Sequence, residues 1–97
     1  MSINFTEIPS PCFVLDEQSL QVNLQILDLV QKEAGVKIIC ALKGYSMWST
    51  FPLVGSYLSG ATASSLNEAK LIYEEMGKEA HTYCPVVSNS NFEDLLL

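Results

Sequence analysis

Short apolar runs alternate along the chain with segments of helical period, and the alternation divides it into strands and helices in turn. Ile8-Pro9-Ser10-Pro11 resists helix, because each proline biases its predecessor to extended geometry, and Cys12-Phe13-Val14-Leu15 then predicts a short strand. Asp16 ends it. With an acceptor oxygen just ahead of Glu17-Gln18-Ser19, Asp16 is a candidate N-cap, and Glu17 adds negative charge at the positive end of the helix that follows. Within that helix Gln21, Gln25, Asp28 and Lys32 form one polar stripe, while Leu20, Leu24, Ile26, Leu27, Leu29 and Val30 fill a broad remaining arc, which predicts deep packing. Gly35 supplies a left-handed stop. Val36 to Leu42 is a near-continuous apolar run, the pattern of a strand covered on both faces in a parallel sheet.

Lys43-Gly44-Tyr45-Ser46 ends that strand, and Ser49 or Thr50 is placed to cap a helix through Leu58, with Pro52 tolerated in its first turn. The plan then repeats. Gly60 to Ala63 predicts a strand, Ser65 to Met76 a helix stopped by Gly77, Ala80 to Cys84 a strand closed by Pro85, and Asn91 the cap of a further helix. This order is that of βαβ units around a parallel sheet, an α/β fold. The apolar run Leu95-Leu96-Leu97, just after a helix start, leaves a hydrophobic face uncovered, so the chain is expected to be a piece of a larger protein.

With 97 residues, 48% of them hydrophobic and 16% charged, the chain forms one domain at most and is far too apolar for a disordered segment. Its net charge is −6 and its five basic residues are scattered singly, so no cluster could neutralise neighbouring phosphates and nucleic acid is not an expected partner. Cys12, Cys40 and Cys84 form neither a Cys-x-x-Cys pair nor a Cys/His metal spacing; they read as buried thiols, and no metal site is expected. Neither a charged leader followed by an apolar run nor an apolar stretch of about 18 residues occurs, so no membrane segment is expected. A reducing, cytoplasmic setting is the default.

Lys43 follows five apolar residues, Ile38 to Leu42, at the C-terminal end of a predicted parallel strand, where α/β enzymes place their reactive groups. An ordinary lysine amine is protonated at neutral pH, so a nucleophilic one needs a desolvated or cationic setting. The plain alternative is a strand-end lysine whose stem lies on apolar surface while its ammonium reaches water. Two further residues invite the same double reading. Ser65-x-x-Glu68 at a helix start is a capping box, and His81 on a predicted strand serves either a ligand or the core. Tyr45 and Trp48, beside the strand end, read as packing residues.

The segment Ala41-Leu42-Lys43-Gly44-Tyr45-Ser46-Met47-Trp48-Ser49-Thr50-Phe51-Pro52 resembles the cofactor-lysine segment of carboxynorspermidine decarboxylases. The likeness extends to Ile8 through Asp16, to Thr62 through Ala69, and to His81-Thr82-Tyr83 with Pro85, so it spans most of the chain. It implies a pyridoxal 5'-phosphate (PLP) dependent enzyme. Residues 1–15 would carry a strand of a second β domain, and residues 16–97 would be the first βα units, incomplete, of a (β/α)8 barrel. Lys43 would hold PLP covalently as the catalytic lysine, with Glu68 and His81 near the cofactor. The substrate would be a carboxylated polyamine, the product norspermidine or spermidine, and the full-length enzyme a homodimer. Thr62 matches a position that is aspartate in the related ornithine decarboxylases. The resemblance also implies that the phosphate-binding groups come from later barrel strands and a partner subunit, because no Gly-rich loop leads into a helix here. Two competing expectations stand beside this one: a non-catalytic PLP-carrying barrel, which would lack the second β domain, and an inert fragment that associates through open sheet edges.

Overall fold

The computed structural model describes residues 3–85 and 88–96. Three parallel strands, β1 (Ile39–Ala41), β2 (Gly60–Ala63) and β3 (Ala80–Thr82), lie side by side in chain order. Helix α1 (Glu17–Ala34) precedes β1; α2 (Phe51–Tyr57) and α3 (Leu66–Leu71) run between the strands, the latter continuing through a π turn over Ile72–Met76; α4 (Asn89–Leu95) follows β3. Each strand begins a βα unit, which is the α/β parallel architecture expected from the sequence.

Punctuation is where the sequence placed it for α1. The Asp16 carboxylate accepts from the Gln18 and Ser19 amides at 3.1 and 3.3 Å, and Gly35 closes the helix at φ 65°. The burial of α1 differs from expectation: only Leu24 is buried, while Val22, Ile26, Leu29 and Val30 stay exposed. The apolar arc is wide enough for two faces, and α2 covers one of them. That inner face includes a polar latch. Gln31 Oε1 accepts from the Ile38 amide and the Ser59 hydroxyl, each at 2.7 Å, and its amide nitrogen donates to the Tyr57 carbonyl at 2.9 Å. The latch takes up the Ile38 amide, and β1 starts one residue later, shorter than the apolar run Val36 to Leu42 suggested.

The core sits between the sheet and the helices. Phe51, Val54 and Leu58 from α2 and its end meet Leu42, Ala61 and Ala63 from the strands and Ala69, Ile72 and Met76 from the third helix. Phe51 and Ile72 are fully inaccessible. Gly55 is required by this packing, since a Cβ there would lie 2.8 Å from Met76 Cγ. Small alanines on β2 let α2 and α3 approach the sheet closely.

Three expectations are corrected. Cys12 to Leu15 pairs with no strand among the described residues, and Phe13 is 99% exposed; a strand without a partner has no ladder to hold it. The cap of α4 is Ser88, whose hydroxyl accepts from the Asn91 amide, three residues before the position expected. Helices cover one face of the sheet, so β1 is half-buried instead of enclosed. Leu97 lies outside the described residues.

Candidate functional site

Side chains alternate across a sheet, and the packing fixes which face is which. Cys40, Leu42, Ala61, Ala63 and Ala80 contact the core under the helices. Ala41, Thr62 and His81, paired in one register row, therefore belong to the opposite, open face. The small Ala41 leaves the sheet accessible there. Thr62 Oγ1 donates to the His81 carbonyl at 2.8 Å, tying the middle of the row together. The His81 imidazole is exposed and makes no hydrogen bond among the described residues.

Lys43 lies two residues past this row, in the turn Leu42–Gly44 at the C-terminal end of β1. The Gly44 and Tyr45 amides both donate to the Ala41 carbonyl at 3.0 Å, which closes the turn directly over the strand end. The ammonium of Lys43 is exposed and, among the described residues, has no hydrogen bond or ion pair; the ion pair found there joins Lys32 to Asp28 at 2.8 Å. Lys43 is thus an amine at a strand terminus without a partner among the described residues.

Glu68 occupies the first turn of α3, just after β2. Ser65 Oγ accepts from the Glu68 amide at 3.1 Å, and Glu68 Oε2 accepts in return from the Ser64 amide at 3.1 Å. The capping reading of Ser65-x-x-Glu68 is thus realised, with the carboxylate reaching one residue further back than the cap itself. Its other oxygen, Oε1, has no partner among the described residues. Lys43 thus follows the C-terminal end of β1, Glu68 lies in the helix that follows β2 and His81 within β3, and no hydrogen bond joins any pair of them among the described residues.

The cysteines are not the buried thiols expected, since Cys12 is exposed and Cys40 and Cys84 are half-buried. Burial pushes the Cys40 thiol up, so it stays protonated, and its Sγ lies 3.9 Å from the Tyr45 carbonyl. No cluster of His, Cys, Asp or Glu able to hold a metal exists among the described residues, and no helix there is long and apolar enough to cross a membrane. A groove on the helix side, between α3 and α4, is lined by Leu66, Ala69, Tyr73, Ala80, Leu95 and Leu96, and none of Lys43, Glu68 and His81 borders it.

Sequence reasoning missed two residues of the lysine loop as functional candidates. Tyr45 and Thr50 bond through their hydroxyls, and Thr50 Oγ1 lies 2.7 Å from the Met47 carbonyl. Only their side-chain chemistry, five positions apart, hinted at this, since loops carry no hydrophobic period.

A parallel three-stranded sheet with flanking helices, and a lysine in the turn at the C-terminal end of its first strand, defines a segment of an α/β fold. The chain is 50% identical over 80 residues to the carboxyaminopropylagmatine decarboxylase of Synechocystis, covering 82% of this chain and 21% of that protein. It is 35% and 36% identical to the carboxynorspermidine/carboxyspermidine decarboxylases of Herminiimonas arsenicoxydans and Campylobacter jejuni, over 92% and 94% of this chain and 24% of each. The crystal structure of the Campylobacter jejuni carboxynorspermidine decarboxylase, complexed with norspermidine, superposes with a TM-score of 0.82 at 40% identity, over 86% of this chain and 23% of that one. No family profile matches the chain. The chain belongs to the carboxynorspermidine/carboxyspermidine decarboxylase family, corresponding to its N-terminal part. It spans under a quarter of the length of these relatives.

Proposed function

We propose that Lys43 is the cofactor lysine of a PLP-dependent decarboxylase acting in polyamine biosynthesis, with carboxynorspermidine or carboxyspermidine as substrate and norspermidine or spermidine as product. The observation that carries this reading is the place of Lys43, in the turn at the C-terminal end of β1, in a chain of this family. The residues fit the cofactor's first demand in part: the Lys43 amine, without an ion pair among the described residues, is open to an aldehyde, the small Ala41 beside it leaves room for a planar ring, and the desolvation the amine needs in order to lose its proton falls to the rest of the enzyme. Bound there, PLP supplies an electron sink for the pair released when the α-carboxylate leaves as carbon dioxide. Lys43 anchors and must give up its proton to do so. His81, on the same face, is assigned to flank the ring, and Glu68, held by the Ser64 amide through one oxygen, keeps the other for the cofactor. The phosphate site, the homodimer and a cytoplasmic location belong to the same proposal for the whole enzyme.

Against a non-catalytic PLP carrier stands the position of Cys12 to Leu15. The segment lies outside the three-stranded sheet, which leaves it available to a separate β domain in the whole enzyme. A second substrate reading has an observation of its own: identity is 50% to the carboxyaminopropylagmatine enzyme against 35 and 36% to the two carboxynorspermidine/carboxyspermidine enzymes. Comparing kcat/KM for carboxynorspermidine, carboxyspermidine and carboxyaminopropylagmatine in the full-length protein decides between them. Turnover of none of the three would overturn the proposal.

A further inference from the structure

The turn that bears Lys43 is secured on its strand side by the two amides on the Ala41 carbonyl, by the buried Leu42 side chain and by the Cys40 thiol on the Tyr45 carbonyl. Beyond it, Tyr45 to Met47 form no regular structure before a 3-10 turn at Trp48–Thr50. Side chains hold this stretch. Thr50 is the N-cap residue of α2, yet its hydroxyl makes no capping hydrogen bond. A threonine at that position ordinarily gives its oxygen to the helix amides. Here Thr50 Oγ1 donates its only proton back to the Met47 carbonyl at 2.7 Å, so in the pair with Tyr45 it is the acceptor and the Tyr45 hydroxyl the donor.

We propose that the Tyr45–Thr50 hydroxyl pair is a clasp that positions Lys43 for cofactor attachment; this rests on the reading of Lys43 as the cofactor lysine. One end of the clasp follows the Lys43 turn directly, and the Tyr45 ring packs against the core. The other end heads α2, whose Phe51 and Val54 are buried in that core. The clasp therefore transfers the rigidity of α2 to the loop on which the lysine stands. A long, flexible lysine reaches a fixed carbonyl productively only if its Cα is fixed first. Tyr45 and Thr50 act through Lys43 and are positioning residues.

The test uses all five lysines of the chain. The full-length protein is incubated with PLP, trapped with borohydride and digested, and modification at Lys43 is ratioed to that at Lys32, Lys37, Lys70 and Lys78. Wild type is expected to favour Lys43. Thr50→Val and Tyr45→Phe should each lower the ratio about fivefold, the equilibrium weight of one net hydrogen bond, while Thr50→Ser should stay within about twofold. Deuterium exchange at the Gly44 and Tyr45 amides is followed in parallel and should accelerate in Thr50→Val and Tyr45→Phe alone. Tyr45→Phe keeps the packed ring and carries the test if Thr50→Val unfolds. Wild-type ratios in both hydroxyl-free variants overturn the clasp. No preference for Lys43 in wild type overturns the cofactor-lysine reading instead, and the exchange rates then decide the clasp by themselves: unchanged rates reject it.

Discussion

Glu68 allows the capping and cofactor roles to be separated by magnitude. In Glu68→Ala the hydrogen bond from the Ser64 amide, 3.1 Å long, disappears together with the negative charge at the start of α3. An N-terminal capping bond contributes about 0.5–2 kcal/mol and a charge on the helix dipole about 0.3–1 kcal/mol when exposed. Alanine returns a few tenths through its helix propensity. The net loss is about 1 kcal/mol, which for a domain of this size lowers Tm by about 4–8 °C. Glu68→Gln keeps an acceptor oxygen and loses only the charge, so it should cost about half as much. Thermal unfolding by circular dichroism at fixed protein concentration, with Ser65→Ala and the double variant, measures both values and their coupling. Equal losses from Ala and Gln, or no loss while Ser65→Ala falls, would refute the capping account. A drop in PLP binding by Glu68→Gln with little change in Tm would assign Oε1 to the cofactor.

Other consequences follow from the same structure. Phe51→Ala empties the centre of the core and should cost about 3–5 kcal/mol, against about 0.5–1.5 kcal/mol for Ile72→Val, both read from urea midpoints. Gly55→Ala sets a helix gain of about 1 kcal/mol against overpacking by Met76 of about 1–3 kcal/mol, so it should destabilise, and Met76→Ala in the same chain should relieve the clash; a stabilised single variant would contradict the contact. The hydrogen bond from the Ser19 hydroxyl, then those from the Ser19 and Gln18 amides, hold the Asp16 carboxyl below its ordinary 3.8. Its contribution is therefore complete above the unfolded value and disappears as pH falls through the lower folded one. Asp16→Asn should reduce helicity near neutral pH and flatten the acid limb of the helicity curve below pH 4.

Where the chain's local chemistry is unambiguous, sequence and structure coincide. Asp16 and Gly35 bracket α1, Gly77 ends the third helix, and the apolar runs become three parallel strands. Local pattern could not say which side of α1 would find a partner, since Leu24 and Ile26 are equally apolar and only tertiary packing separates them. Nor could it anticipate that Gln31, an unremarked glutamine, would turn inward and bind two neighbouring segments. At the site, the strand-end position of Lys43 was legible from the run before it. Its freedom from ion pairs, and the Thr50 hydroxyl turned away from its own helix, depend on three-dimensional neighbours that spacing does not encode.

The central claim is that Lys43 carries the cofactor, and Lys43→Ala in the full-length protein tests it most directly. Absorbance of the lysine-linked cofactor and carbon dioxide release from the carboxylated polyamine are measured on the same preparations, with circular dichroism as the check on folding. The account predicts a folded protein that has lost both signals. A folded variant with an unchanged cofactor spectrum and undiminished decarboxylation would contradict it.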